Sequence, residues 1–121
     1  MPARHFRAQR LVAIVDRNRV QLDGFVKDVM DVGPALDKWC AFGRQTLETD
    51  GHDVGQLVEA IDKAEEMSQS GPVVIIAHTI KGKGVSYMEN ESDLHGVAPN
   101  QGHLRVALDE FPSADRPWHH V

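Results

Sequence analysis

Val73-Val74-Ile75-Ile76-Ala77-His78-Thr79-Ile80-Lys81-Gly82-Lys83-Gly84 is the stretch on which the fold turns. Five apolar residues, three of them β-branched beyond the first, fit a strand buried on both faces of a parallel sheet. The run then stops in two lysines separated and followed by glycine. Glycine lets main-chain N–H groups approach a ligand closely, and lysine brings positive charge without an acceptor. A buried strand that ends this way fits a loop for an anion, and equally a solvated basic turn. It is not a P-loop, because the glycine spacing is wrong and no Lys-Ser/Thr opens a helix.

A second such run lies upstream. Leu11-Val12-Ala13-Ile14-Val15 also fits a strand buried on both faces, and it ends in the polar cluster Asp16-Arg17-Asn18-Arg19. In open α/β sheets ligands bind at the carboxyl ends of the strands. Gln45 to Thr49 is a weaker strand, near an edge, ending in Asp50-Gly51-His52-Asp53. Between these strands Pro34 opens a helix that runs to Phe42 and stops at Gly43. That helix is expected to bury Leu36, Trp39, Cys40 or Phe42. Asp53 is an N-cap for a helix from Val54 to Ser68, with Val54, Leu57, Val58, Ile61 and Ala64 on its apolar side. Ala3 to Gln9 forms a short helix, Val20 to Gly24 a turn and Phe25 to Gly33 a loop. Ile80 to Asn100 is a long loop of the functional kind. Gln101 to Phe111 closes the chain as a helix with Leu104, Ala107, Leu108 and Phe111 on one side.

The order is therefore β–α–β–α–β, loop, helix. This predicts an α/β fold: a partial three-layer parallel sheet with flanking helices. Three strands leave two raw edges, so the unit is expected to be part of a larger layered domain. The divisions expected are an N-terminal segment over 1–10, the α/β unit over 11–111 and a polar tail over 112–121.

The 121 residues carry a net charge of −5, with 41% hydrophobic and 26% charged residues. Those are the proportions of an ordinary globular chain, and the acidic balance argues against nucleic acid or an anionic membrane as partner. No apolar run approaches the roughly 18 residues of a membrane span, and no signal-peptide core is present, so a cytoplasmic protein is expected. The single cysteine, Cys40, excludes a disulfide framework and is expected as a small core residue.

Taken as residues alone, the candidate sites stay open. Asn18 and the following main chain offer hard oxygen ligands suited to Mg²⁺ or Ca²⁺, but Asn is first a turn former. His95, beside Asp93 and Gly96, is placed to donate to a phosphate or relay a proton, or is a bland loop histidine. His52 has the spacing of an acid–base or metal site, and reads better as an exposed histidine in a helix cap. No G-x-S-x-G, CxxC or H-E-x-x-H motif is present.

Together, Leu11 to Gly24, Asp50 to Asp53, Ile76 to Asn90 and His95 to Asn100 resemble the amino-terminal, diphosphate-binding domain of transketolase, over about Leu11 to Phe111. The resemblance implies a thiamine diphosphate enzyme that transfers a two-carbon ketol unit between sugar phosphates, as in pentose phosphate metabolism. It implies Asn18 as side-chain ligand and Val20 as main-chain ligand of Mg²⁺ (or Ca²⁺). It implies that Lys81 contacts thiamine diphosphate, that His95 reaches both diphosphate and substrate as the catalytic histidine, and that Leu22 falls near the residue that packs on the thiazolium ring. The family's Gly-Asp-Gly motif, source of a carboxylate ligand, has no counterpart here, nor does its pyrimidine-binding domain, and Leu94 stands where Trp is common. A split-subunit transketolase is expected, completed by complementary polypeptides or in a homo-oligomer. The alternative expectations are a non-catalytic truncated remnant or partner-binding α/β module. The spacing of Met88-Glu89-Asn90 to His95-Gly96 favours transketolase over a deoxyxylulose-phosphate synthase or a dehydrogenase E1 component.

Overall fold

A computed structural model describes residues 2–111; the polar tail lies outside the described residues. The elements in order are α1 (Pro2–His5), β1 (Val12–Arg17), β2 (Val20–Gln21), β3 (Gly24–Phe25), α2 (Val26–Val29) and α3 (Ala35–Ala41). They are followed by β4 (Gln45–Asp50), α4 (Val54–Ser68), β5 (Val73–His78) and α5 (Gln101–Glu110). The three long strands form one parallel sheet, as the β–α–β–α–β pattern predicts, and the structure sets their order as β1-β5-β4. β2 and β3 form a small antiparallel hairpin.

β5 is the central strand, and Val73 to Ala77 are all buried. On one face Val73 and Ile75 pack with Ala64 of α4, with Val12, Leu47, Ala60 and Met67 around them. Strand side chains alternate, so Thr46 points the other way from Leu47. There its Oγ1 lies 3.2 Å from Cys40 Sγ of α3. Helices thus flank both faces of the sheet.

Several expectations fail, for one physical reason: a narrow sheet leaves its margins uncovered. β1 is not buried on both faces; Ala13 and Ile14 are exposed, because β1 is a terminal strand. No residue of α3 is buried, and Cys40 is exposed rather than in the core. In α4 the buried side is Ala64 and Ser68, with Leu57, Ala60 and Met67 partly covered, whereas Val54, Val58 and Ile61 face solvent. In α5 only Ala107 is buried. The expected helix over Ala3–Gln9 shortens to α1, and the loop after Phe25 contains the single turn α2.

Candidate functional site

The strand register brings the polar ends to one level. Asp16 pairs with Ala77 and Arg17 with His78, while Thr49 and Asp50 pair with the same two residues from the other side. The loops that follow all three strands therefore converge on one edge of the sheet.

Each loop is fixed by short-range polar contacts. After β1, Val20 N–H donates to Asn18 Oδ1 (3.0 Å), an Asx turn, and Arg19 takes the left-handed conformation (φ 64°). Asn18 Nδ2 reaches Asp16 Oδ2 (3.4 Å), and Thr79 Oγ1 donates to Asp16 Oδ1, tying the β1 and β5 ends together. After β4, His52 N–H donates to Asp50 Oδ1 (2.8 Å) and Gly51 N–H to His78 O (2.8 Å). A Cβ on Gly51 would lie 2.4 Å from Thr79 Cγ2, so glycine is what allows this approach.

The lysine–glycine loop is built from three devices. Gly82 has φ 73°, and a Cβ there would meet the Met88 carbonyl oxygen at 2.3 Å. Asn90 N–H closes the loop onto Lys81 O (2.9 Å), and Val85 is buried beneath it. Ile80 N–H donates to Nε2 of His52 (2.7 Å), so this histidine anchors the loop rather than standing free at the helix cap. Further on, Ser86 N–H (2.5 Å) and Ser86 Oγ both donate to the Glu110 carboxylate, and Tyr87 OH donates to His103 O (3.1 Å). Those polar contacts, with the Tyr87 ring stacked on His103, tie α5 to the loop. The Ser86 hydroxyl and amide keep the Glu110 carboxyl below its usual range. The Gln56 main-chain N–H does the same for the helix-capping Asp53.

Lys81 and His95 come together: Lys81 Nζ lies 2.8 Å from His95 Nδ1. An ammonium only donates, so Nδ1 accepts and the imidazole proton sits on Nε2. Lys83 pairs with Glu89 at 3.6 Å. Two cavities meet at Asn18, Arg19 and Asn90. One, of about 650 Å³, is lined also by Asp16, Val20 and Lys27. The other, of about 540 Å³, is lined also by Asp50, His52 and Lys83. Asn18 lines both. Lys81 and His95 line neither, and Leu22 stands exposed at the hairpin tip.

A metal-bridged diphosphate asks for hard oxygen ligands and cationic donors. The chemical types fit: Asn18 Oδ1 keeps a lone pair beyond the one used by Val20, and Lys81 and His95 supply donors. The number of oxygen ligands falls short. Among the described residues no group of three or more His, Cys, Asp or Glu side chains could hold a metal ion. His52 and Asn90 are the residues whose part the sequence understated. Asn90, at φ 62°, lines both cavities, and its signal was only its place at the end of the glycine-rich loop.

The family described as the transketolase, thiamine diphosphate binding domain, matches residues 2–111. An apulose-4-phosphate transketolase subunit from Actinobacillus succinogenes is 33% identical over 111 residues, 92% of this chain and 40% of that protein. A 6-deoxy-6-sulfo-D-fructose transketolase subunit from Clostridium sp. is 34% identical over 105 residues, 87% of this chain and 38% of that protein. The chain thus spans about two-fifths of the length of these curated relatives. The transketolase of Campylobacter jejuni shares the fold, with a TM-score of 0.67 at 19% identity over 90% of this chain and 21% of that one. On the match over residues 2–111, the chain belongs to the transketolase thiamine diphosphate binding domain family.

Proposed function

We propose that this chain forms one wall of a thiamine diphosphate site in an enzyme that transfers a two-carbon ketol unit from a ketose phosphate to an aldose phosphate. One observation carries this: the 2.8 Å contact of Lys81 Nζ with His95 Nδ1 joins two side chains fourteen residues apart, both assigned by resemblance to the diphosphate. Asn18 Oδ1 and the Val20 main chain would hold Mg²⁺ or Ca²⁺, and Lys81 would balance diphosphate charge. Leu22 would pack against the thiazolium. When bound, the cofactor supplies the nucleophilic carbon and the electron sink. His95, with Nδ1 engaged by Lys81, would have its Nε2 left to donate to a phosphate or substrate oxygen. The relatives are named as transketolase subunits rather than whole enzymes, which supports a complementary polypeptide as partner.

Calorimetry of the chain with thiamine diphosphate and Mg²⁺ tests this. The chain alone is expected to show no measurable binding, because its oxygen ligands are too few; micromolar binding would overturn that expectation. With the complementing polypeptide present, Asn18→Ala and His95→Ala should each depress ketol transfer. Wild-type rates in both would remove the site assignment.

A further inference from the structure

Two consecutive residues open the lysine–glycine loop, and each donates to an imidazole. Ile80 N–H reaches His52 Nε2 at 2.7 Å, and Lys81 Nζ reaches His95 Nδ1 at 2.8 Å. Neither donor can accept, so each ring nitrogen must offer a lone pair. His52 therefore carries its proton on Nδ1 and His95 on Nε2. The loop entry thus rests on two neutral histidines of opposite tautomer.

The frame around this entry is fixed. Gly51 N–H bonds His78 O and His52 N–H bonds Asp50 Oδ1, both at 2.8 Å, which seats His52 against the end of β5. Thr79 Oγ1 donates to Asp16 Oδ1 on the other side. Further along the loop, Asn90 N–H bonds Lys81 O at 2.9 Å and Gly84 N–H bonds Glu89 Oε1 at 3.1 Å. Those acceptors are not imidazoles. Both His52 and His95 are exposed, so their rings exchange protons with solvent.

We infer that the loop entry is a proton-operated latch, which His52 and His95 position as neutral imidazoles and release when protonated. An imidazolium has two N–H donors and no acceptor. Protonated His52 would set N–H against the Ile80 N–H, and protonated His95 would set a cation against the Lys81 ammonium. Anchoring is complete where both rings are neutral and is lost as pH falls through their titration. The groups around His52 are Asp50, which holds its main-chain N–H, and Arg19, His78 and Lys83, which line the same cavity. Asp53 is turned to Gln56 instead. His95 faces Lys81, with Asp93 two residues before it in its own turn. His78 acts in the opposite sense, because a proton on it strengthens its 3.2 Å pair with Glu48. In the diphosphate site proposed above, the latch would hold Lys81 in place only while the rings are neutral; this consequence alone rests on that reading.

The test follows the full chain by nuclear magnetic resonance, without cofactor or metal. At about pH 8, ring-nitrogen shifts should show the Nδ1–H tautomer for His52 and the Nε2–H tautomer for His95. Protection of the Ile80 amide, its exchange relative to an unstructured chain, should fall at least about fivefold between about pH 8 and about pH 5. Ile75, in the buried strand, should keep its protection over that range. His52→Gln supplies an acceptor oxygen that takes no proton, so Ile80 should stay protected at both pH values. His52→Ala should leave it in the low-protection state at both. An Nε2–H tautomer at His52, an Ile80 protection that does not change with pH, or a fall that persists in His52→Gln would overturn the inference. The tautomers and the pH response are read on the unaltered chain, so the outcome does not hang on the variants. Because no cofactor is used, failure here is distinguishable from failure of the thiamine diphosphate site.

Discussion

Ile14 and Ile75 lie side by side in neighbouring parallel strands, yet Ile75 is fully buried and Ile14 is 53% exposed. The two side chains are chemically identical and point to the same face. Only their strand's place in the sheet separates them.

Ile75→Ala should therefore cost about 2–5 kcal/mol, the transfer and cavity terms of a core deletion. Ile14→Ala should cost under about 1 kcal/mol. Denaturant unfolding of the chain measures both, and equal losses would contradict the central position of β5.

Gly82 and Gly84 both have positive φ, 73° and 93°, but only Gly82 is crowded. Gly82→Ala would place a methyl group against the Met88 main chain and should destabilise the loop by more than about 2 kcal/mol. Gly84→Ala meets open space and should cost only the conformational strain, about 1 kcal/mol. Thermal melts of the two variants should rank in that order; the reverse ranking would sink the assignment of Gly82 as the tight point.

His52→Ala removes the acceptor of Ile80 N–H. A lost internal hydrogen bond is worth about 1 kcal/mol, so the Ile80 amide should exchange roughly five times faster. The Asp53 cap, whose acceptor bond is to Gln56, should be untouched. Unchanged exchange at Ile80 would return His52 to an exposed cap residue.

The acid limb of stability should reflect Asp53 and Glu110. Both carboxyls are held below their ordinary values of 3.8 and 4.5, by Gln56 and by Ser86 respectively. A lowered folded value means each contribution is complete above the ordinary value and is lost as pH falls through the folded one. Asp53→Asn, which keeps a capping oxygen, and Glu110→Gln should each flatten the fall in stability below about pH 4. Acid titration followed by circular dichroism checks this, and slopes equal to wild type in both variants would refute it.

Much of the fold was legible because local physics settled it. The apolar run to Ala77 marks β5, Asp53 caps α4 at the expected residue, and α4 spans Val54–Ser68 as its periodicity predicts. Gly43 ends α3 with φ 68°. Of the candidate site, Asn18, the lysine–glycine loop and His95 could be named, but not their mutual positions. Contacts such as Lys81 with His95, or Thr79 with Asp16, depend on strand order and loop path, which no local spacing encodes.

By itself, then, the sequence determined the three long strands and the helices that follow them, their parallel α/β order, and the family to which the stretch from Asn18 to His95 belongs. Periodicity, caps and glycine positions are properties of neighbouring residues. The tertiary structure decided which apolar residues are core and which are surface. Leu11-Val12-Ala13-Ile14-Val15 and Val73-Val74-Ile75-Ile76-Ala77 are nearly equivalent as strings, but burial requires neighbours on both sides. The chain provides those for β5, while β1 is left as an edge.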